Sequence, residues 1–185
     1  AHMSFEKACK IAVVQCRLID SKEENDYAMT KEDIEEEIIK DLKKGNIPFH
    51  IHVTLGTTGS ATDDLLGEIV SLREKYGVWV HVDAAYAGNF WVDPKYRGNQ
   101  KGLEQTDSLN VNLHKNCLTS PGCSVLWTRH QALFKKPYTL NAPYLTRENN
   151  AADLRDWGMH LTKRFKAIKV HTFPVIVTVG MTQCG

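Results

Sequence analysis

The chain has 185 residues, 42% of them hydrophobic and 24% charged, with 23 basic residues against 22 acidic ones and a formal net charge of +1. That is the composition of an ordinary globular protein long enough to bury a real core. It excludes the strongly basic surface of a nucleic-acid binder and an electrostatic attraction to anionic membranes, and no apolar run approaches the roughly twenty residues that span a bilayer.

The opening AHM reads as a cloning remnant, residues 1–3, which leaves 4–185 as the domain. SFEKACKIAVV places Phe5, Ala8, Ile11 and Ala12 at helical spacing and predicts a short amphipathic helix. QCRLIDSK reads as a strand leaving it, and EENDYAM as a loop. Thr30 followed by Asp33 is an approximate capping box for KEDIEEEIIKDLKKG, where Ile34, Ile38, Ile39 and Leu42 recur at helical spacing under a charged face. Gly45 closes that helix and Pro48 prevents its restart. FHIHVTLG predicts a buried strand ending in the turn-rich GTTGSATDD. Asp63 is expected to cap a helix through DLLGEIVSLREKYG, with Leu65, Leu66, Ile69, Val70 and Leu72 as its apolar face and Gly77 as its end. VWVHVDAAYAG is the second strong strand, so 46–85 predicts a parallel strand–helix–strand crossover. DSLNVNLHK and CSVLWTRH predict two further strands, 129–152 is mostly loop, and LRDWGMHLTKRFKAIKVH is a final helix interrupted or bent at Gly158. The class is α/β, and ligands of such sheets gather at the carboxyl ends of strands.

Thr57, Thr58, Asp83, His114 and Lys115 all fall at or just past strand ends, so the fold can bring them together. A desolvated lysine there can form a Schiff base with an aldehyde. An aspartate at the tip of a buried strand needs a positive partner to stay ionised, and can keep a pyridine nitrogen protonated so that the ring becomes an electron sink. Ala84 and Ala85 leave room for a flat ring, and Thr57, Thr58, Asn112 and His114 offer hydrogen bonds to ring substituents or a phosphate. Taken singly, each has a plainer reading: Asp83 could cap a turn and Lys115 could be exposed, because a structural ion pair has the same parts. His50 and His52 share a strand face, as two metal ligands would, but no third ligand completes a set, so a structural role is assigned and no metal is expected. Trp79, Trp91, Trp127 and Trp157 read as core. The five cysteines, Cys9, Cys16, Cys117, Cys123 and Cys184, are odd in number and lack CxxC spacing, which suggests reduced thiols in a cytoplasmic protein; Cys117 and Cys123 read as buried filler near Lys115.

The stretch IPFHIHVTLGTTGSATDDLLGEIVSLREKYGVWVHVDAAYAGNFWVDPKYRG closely resembles the group II pyridoxal-phosphate-dependent amino-acid decarboxylases, which include aromatic-L-amino-acid, histidine, tyrosine and tryptophan decarboxylases. DSLNVNLHKNCLTSPGCSVLWTRH resembles the same family's cofactor-lysine segment. HVDAAYAG and NxHK, in this order and separation, carry the likeness. It implies part of the large domain of a fold-type I enzyme, with pyridoxal 5'-phosphate as cofactor and an amino acid as substrate. The reaction implied is decarboxylation of an aromatic amino acid or histidine to the amine and carbon dioxide. Lys115 would be the Schiff-base lysine and Asp83 the partner of the pyridine nitrogen. Ala85 would pack on a ring face, Thr58 would lie beside ring and substrate, and Asn112 and His114 would neighbour the phosphate. Tyr144, in LNAPYLTREN, would protonate the carbon that lost carbon dioxide; phenylalanine there accompanies an aldehyde-forming reaction in relatives, so Tyr144 implies plain decarboxylation. Thr162, in HLTKRF, would narrow the substrate pocket toward an imidazole or phenol. The resemblance also implies a cytoplasmic homodimer, or a complementing chain, with active sites at the subunit interface.

Departures set the second expectation. The family's amino-terminal part, with its ring-stacking histidine and phosphate-gripping small residues, and its carboxyl-terminal small domain lie outside the likeness. Residues 4–185 are therefore expected to be a central piece of the large domain. Asn116 stands where a bulky apolar residue is usual, and Leu113 where proline precedes the histidine. The alternative is a catalytically silent decarboxylase-like fragment acting as a binding or dimerisation module.

Overall fold

The computed structural model describes residues 1–98, 100–140 and 154–171. Residues Ala1–Trp127 form one compact unit and Thr128–Gly185 a second.

In the first unit, α1 (Met3–Ala12) starts where the His2 ring accepts the Ser4 amide, and ends at Val13 in a left-handed conformation. Its buried residue is Cys9, while Ile11, expected on the apolar face, is exposed. The strand expected at QCRLIDSK does not form: 14–22 has no regular structure. This stretch is held to α2 (Lys31–Lys43) by a side chain instead of a backbone ladder, since the Arg17 guanidinium donates to Asp41 at 2.9 Å. The capping box at the start of α2 is present in full. The Thr30 hydroxyl oxygen accepts the Asp33 amide, and the Asp33 carboxylate accepts the Thr30 amide. Ile34 and Ile38 enter the core while Ile39 and Leu42 stay exposed, so the buried stripe is narrower than the periodicity suggested.

The sheet has four strands in the order β1 (His50–Thr54), β2 (Trp79–Asp83), β3 (Ser108–Asn112) and β4 (Ser124–Thr128). The first three run parallel, with His52 opposite His81, Thr54 opposite Asp83, and Asp83 opposite Asn110. Strand alternation sorts the side chains. Ile51, Val53, Val80 and Val82 join Ile34, Ile38, Leu66, Ile69 and Leu72 in one core. His50, His52, Thr54, Trp79, His81 and Asp83 line the other, half-buried face.

The crossover between β1 and β2 is two short helices, α3 (Leu66–Ile69) and α4 (Ser71–Tyr76), rather than one. Asp63 does not cap it: it bridges to Leu55, and the helix start has no side-chain cap. The neighbouring Asp64 carboxylate accepts the Met29 and Thr54 amides at 2.8 and 2.7 Å, which pins the loop to β1. Leu65 is 43% exposed and so lies off the apolar face, whereas Leu66, Ile69, Val70 and Leu72 are buried. Gly77 ends α4 with φ of 64°, a conformation that costs glycine little. Arg73 on α4 donates Nε to both oxygens of buried Asp107, which also accepts the Val80 amide; this clamps the helix to the sheet.

In the second unit, α5 (Gln131–Lys135) lies within what reads as loop, and Phe134 packs against Tyr138 and Trp157. The continuous final helix does not form. A 3-10 turn covers Leu154–Trp157, Gly158 has φ of 151°, and α-helix resumes only at 167–171. Of the interruption or bend expected at Gly158, the structure has the interruption, since glycine at that φ breaks the ladder. In the first unit, Trp127 on β4, expected in the core, is 50% exposed.

Candidate active site

Asp83 is the last residue of β2, and its side chain lies on the half-buried polar face. Oδ1 accepts the Ala85 amide at 2.9 Å, and Oδ2 lies 3.7 Å from His52 Nε2. Burial pushes this carboxyl upward, but the His52 ring, the Ala85 amide and Asn110 outweigh it and hold Asp83 at about 2. The group is therefore ionised at neutral pH at the carboxyl end of the sheet.

The next residue corrects an expectation. Ala84 is fully buried on the opposite face, among the core residues, so it does not line a ring site. Its small side chain permits close approach by the following turn: a Cβ added to Gly88 would lie 3.0 Å from Ala84 Cβ and 2.7 Å from Val111 Cγ2. Ala85 is half-buried within the Asp83 turn.

Three strand-end turns meet here. Beyond β1, Gly56 adopts φ of 73°, and a Cβ on it would lie 2.0 Å from Ala87 Cβ, so the GTTG turn lies directly against the AAYAG turn. Thr57 spends its hydroxyl inside its own turn, bonded to Ser60 Oγ and accepting the Thr62 amide, whereas Thr58 is exposed beside it. Beyond β3, the Asn112 amide donates to the Ala85 carbonyl. Buried Asn89 stitches the turns together, its amide donating to the carbonyls of Ala85, Tyr86 and Asn112 at 3.2, 2.9 and 3.0 Å. Lys115 sits in a turn closed by its own amide on the Asn112 carbonyl. Its neighbours fix that turn on both sides. His114 Nδ1 lies 2.9 Å from the Cys123 carbonyl, which leaves Nε2 for another partner, and Asn116 Nδ2 donates to the Tyr86 carbonyl at 3.0 Å.

Asp83, Ala85, Thr58, Asn112, His114 and Lys115 thus lie on adjoining strand-end turns. Tyr144 falls outside the described residues, and Thr162 is exposed in the second unit. Three residues not singled out for the site belong to its frame: His52, read only as a structural histidine, Asn89, and Asn116, read only as a departure. Asn89 and Asn116 act through carbonyls that no local spacing reveals. Cys117 and Cys123 are buried, and burial pushes the Cys117 thiol up, as fits filler better than a reactive thiol. Among the described residues, no group of three or more His, Cys, Asp or Glu is arranged to hold a metal ion. A cavity of about 740 Å³ lies toward the β1 side, lined by Phe5, Cys9, Ile19, His50, His52 and Thr57 among others.

Comparison with known proteins places this geometry. The family described as "Pyridoxal-dependent decarboxylase conserved domain" matches residues 1–182, and the chain belongs to it. It is 39% identical over 176 residues to tyrosine decarboxylase 2 of Arabidopsis thaliana, covering 91% of this chain and 32% of that protein. To the phenylacetaldehyde synthase of the same plant it is 35% identical over 176 residues, covering 91% and 36%. A crystal structure of Oryza sativa TDC with PLP and tryptamine shares the fold at a TM-score of 0.89 and 29% identity, covering 94% of this chain and 37% of that one. The chain spans about a third of the length of the curated relatives it matches. Its four-stranded, mostly parallel sheet with flanking helices is the fold it shares with pyridoxal-dependent decarboxylases. The residues fit that cofactor: an ionised carboxylate at one strand end could pair with a cationic ring nitrogen, and a lysine occupies the turn beyond the adjacent strand.

Proposed function

We propose that this chain is the cofactor-binding part of an enzyme that decarboxylates an aromatic L-amino acid or histidine to the amine and carbon dioxide. The observation that carries the reading is the Asp83 carboxylate, held at about 2 at the end of β2, one strand from the turn that bears Lys115. When bound, pyridoxal phosphate supplies an electron sink for the pair released as the carboxylate leaves. Asp83 keeps the ring nitrogen protonated, which is what makes the sink deep. Lys115 would supply the amine that holds the cofactor's aldehyde carbon. Ala85 offers a flat, small surface to the ring, Thr58 stands beside ring and substrate, and Asn112 with the Nε2 of His114 serves the phosphate. Tyr144 returns a proton to the carbon that lost carbon dioxide, and Thr162 limits the side chain accepted.

Family likeness alone does not separate amine from aldehyde production, because the relatives include both a tyrosine decarboxylase and a phenylacetaldehyde synthase. Tyr144 favours the amine. The free thiols of Cys9, Cys16, Cys117 and Cys123 suit the reducing cytoplasm. Among the described residues, no helix is long and apolar enough to cross a membrane. A second copy or a complementing chain would close the site.

The test is product analysis with tyrosine, phenylalanine, tryptophan and histidine in the presence of pyridoxal phosphate. Carbon dioxide and amine in equal amounts are expected. Aldehyde with peroxide in place of amine, or no carbon dioxide from any of the four, contradicts the reading; the second result is the one a silent binding module predicts.

A further inference from the structure

His52 lies on the strand before Asp83 and is outside the residues that the family likeness assigns to the cofactor. Strand register puts it opposite His81, so its ring is diagonal to Asp83 on the same face. The side chain is only 9% exposed, Nε2 lies 3.7 Å from Asp83 Oδ2, and neither ring nitrogen has a hydrogen-bond partner among the described residues. A buried donor left in this condition is costly, so an acceptor within reach has a strong claim on it. Closing the gap by about 0.8 Å would give an ordinary N–H···O length.

Among the described residues, the surroundings favour one acceptor for His52. Phe5 covers its ring at 4.4 Å, and the His81 and His50 rings lie 5.4 and 6.5 Å away on the same face. Burial holds both of those histidines at about 4, so at neutral pH they are uncharged and do not compete for the carboxylate. The other nearby acid, Asp64, already accepts two backbone amides. That leaves Asp83.

We infer that His52 is a positioning residue for the cofactor's carboxylate: it donates Nε2–H to Asp83 Oδ2 while the Ala85 amide holds Oδ1, so that the anion is oriented before the cofactor arrives. The inference rests on the proposed cofactor role of Asp83, but the contact itself can be tested without cofactor.

The experiment compares the protein with its His52→Val and His52→Gln variants. Val removes the donor and Gln retains a neutral one. Carbon-13 NMR follows the Asp83 carboxyl through a pH titration of the cofactor-free protein, and fluorescence titration gives the Kd for pyridoxal phosphate. The expected result is a rise of at least one pH unit in the Asp83 midpoint for Val, with a smaller rise for Gln. The expected Kd is weaker by about tenfold for Val and by less than threefold for Gln. An unmoved Asp83 midpoint in both variants overturns the contact, and a Kd within twofold of the parent in both overturns the positioning role. If His52→Val does not fold, Asp83→Asn supplies the reciprocal reading, since the nitrogen-15 shifts of the His52 ring must move if the pair exists and must stay if it does not. Failure of the unaltered protein to take up pyridoxal phosphate would count against the proposed function, and the carboxyl titration would still decide His52.

Discussion

The side-chain amide of Asn116 donates to the carbonyl of Tyr86 at 3.0 Å, joining the turn that carries Lys115 to the turn that follows Asp83. An apolar residue at this position could not make that link. Asn116→Leu should therefore remove one of the two side-chain amides that donate to the Tyr86 carbonyl, Asn89 keeping the other, lowering stability by about 1 kcal/mol and weakening cofactor uptake by several-fold. Urea denaturation and a pyridoxal phosphate titration check both. Unchanged values would mean that the Asn112 and Asn89 contacts hold the turns by themselves.

Gly56 tests the close approach of the turns beyond β1 and β2. Its φ of 73° and the 2.0 Å separation that an added Cβ would have from Ala87 Cβ leave no room for a side chain. Gly56→Ala should destabilise the protein by about 2–3 kcal/mol, combining backbone strain with overpacking. Adding Ala87→Gly should recover the overpacking part and leave the strain. A double-mutant cycle with no coupling would contradict the contact.

Arg73 and Asp107 form the clamp between α4 and the sheet. Asp107 is 3% exposed, and Arg73 Nε lies 2.9 and 3.0 Å from its two oxygens. Removing the arginine would take this counter-charge from a buried carboxylate that keeps its bond from the Val80 amide, a loss of up to about 3–5 kcal/mol. Arg73→Ala should therefore be far more damaging than Lys40→Ala, whose Glu36 and Glu37 partners lie on the exposed side of α2. Equal midpoints for the two variants in chemical denaturation would contradict this.

The polar face of the sheet also sets a pH dependence. Burial, ahead of the neighbouring histidine charges, lowers His50 and His81 from 6.5 to about 4. The unfolded chain therefore takes up these protons first as pH falls, so stability is full above 6.5 and declines between 6.5 and 4, by up to about 2.7 kcal/mol per pH unit for the two together. Asp83 has the same sign lower down: its contribution is present above the ordinary carboxylate range and is lost as pH falls toward 2. Denaturant midpoints measured from pH 8 to pH 4.5 should drop below pH 6.5, and His50→Phe with His81→Gln should flatten the decline. A flat profile in the unaltered protein would be a contradiction.

What was legible in the sequence was mostly local. The Thr30–Asp33 box, the left-handed Gly77 and the alternating pattern of β1 and β2 depend on residues a few positions apart, and all three are in the structure. QCRLIDSK has a strand's composition but pairs with no strand among the described residues, which composition cannot reveal. Asp63 and Asp64 are equivalent as letters. Only tertiary contacts make Asp64 the acceptor for Met29 and Thr54, and so leave α3 uncapped. The same limit applies at the site. That Asp83 and Lys115 belong together was legible from the family likeness of two motifs 32 positions apart, more than from spacing. His52, Asn89 and Asn116 entered only with strand register and turn-to-turn hydrogen bonds.

Borohydride reduction of the protein mixed with pyridoxal phosphate, followed by peptide mass mapping, fixes the cofactor to whichever lysine holds it. A single pyridoxyl-phosphate adduct on Lys115, lost in Lys115→Ala and reduced in Asp83→Asn, is the predicted result. An adduct distributed over exposed lysines, or one that survives Lys115→Ala unchanged, would contradict it.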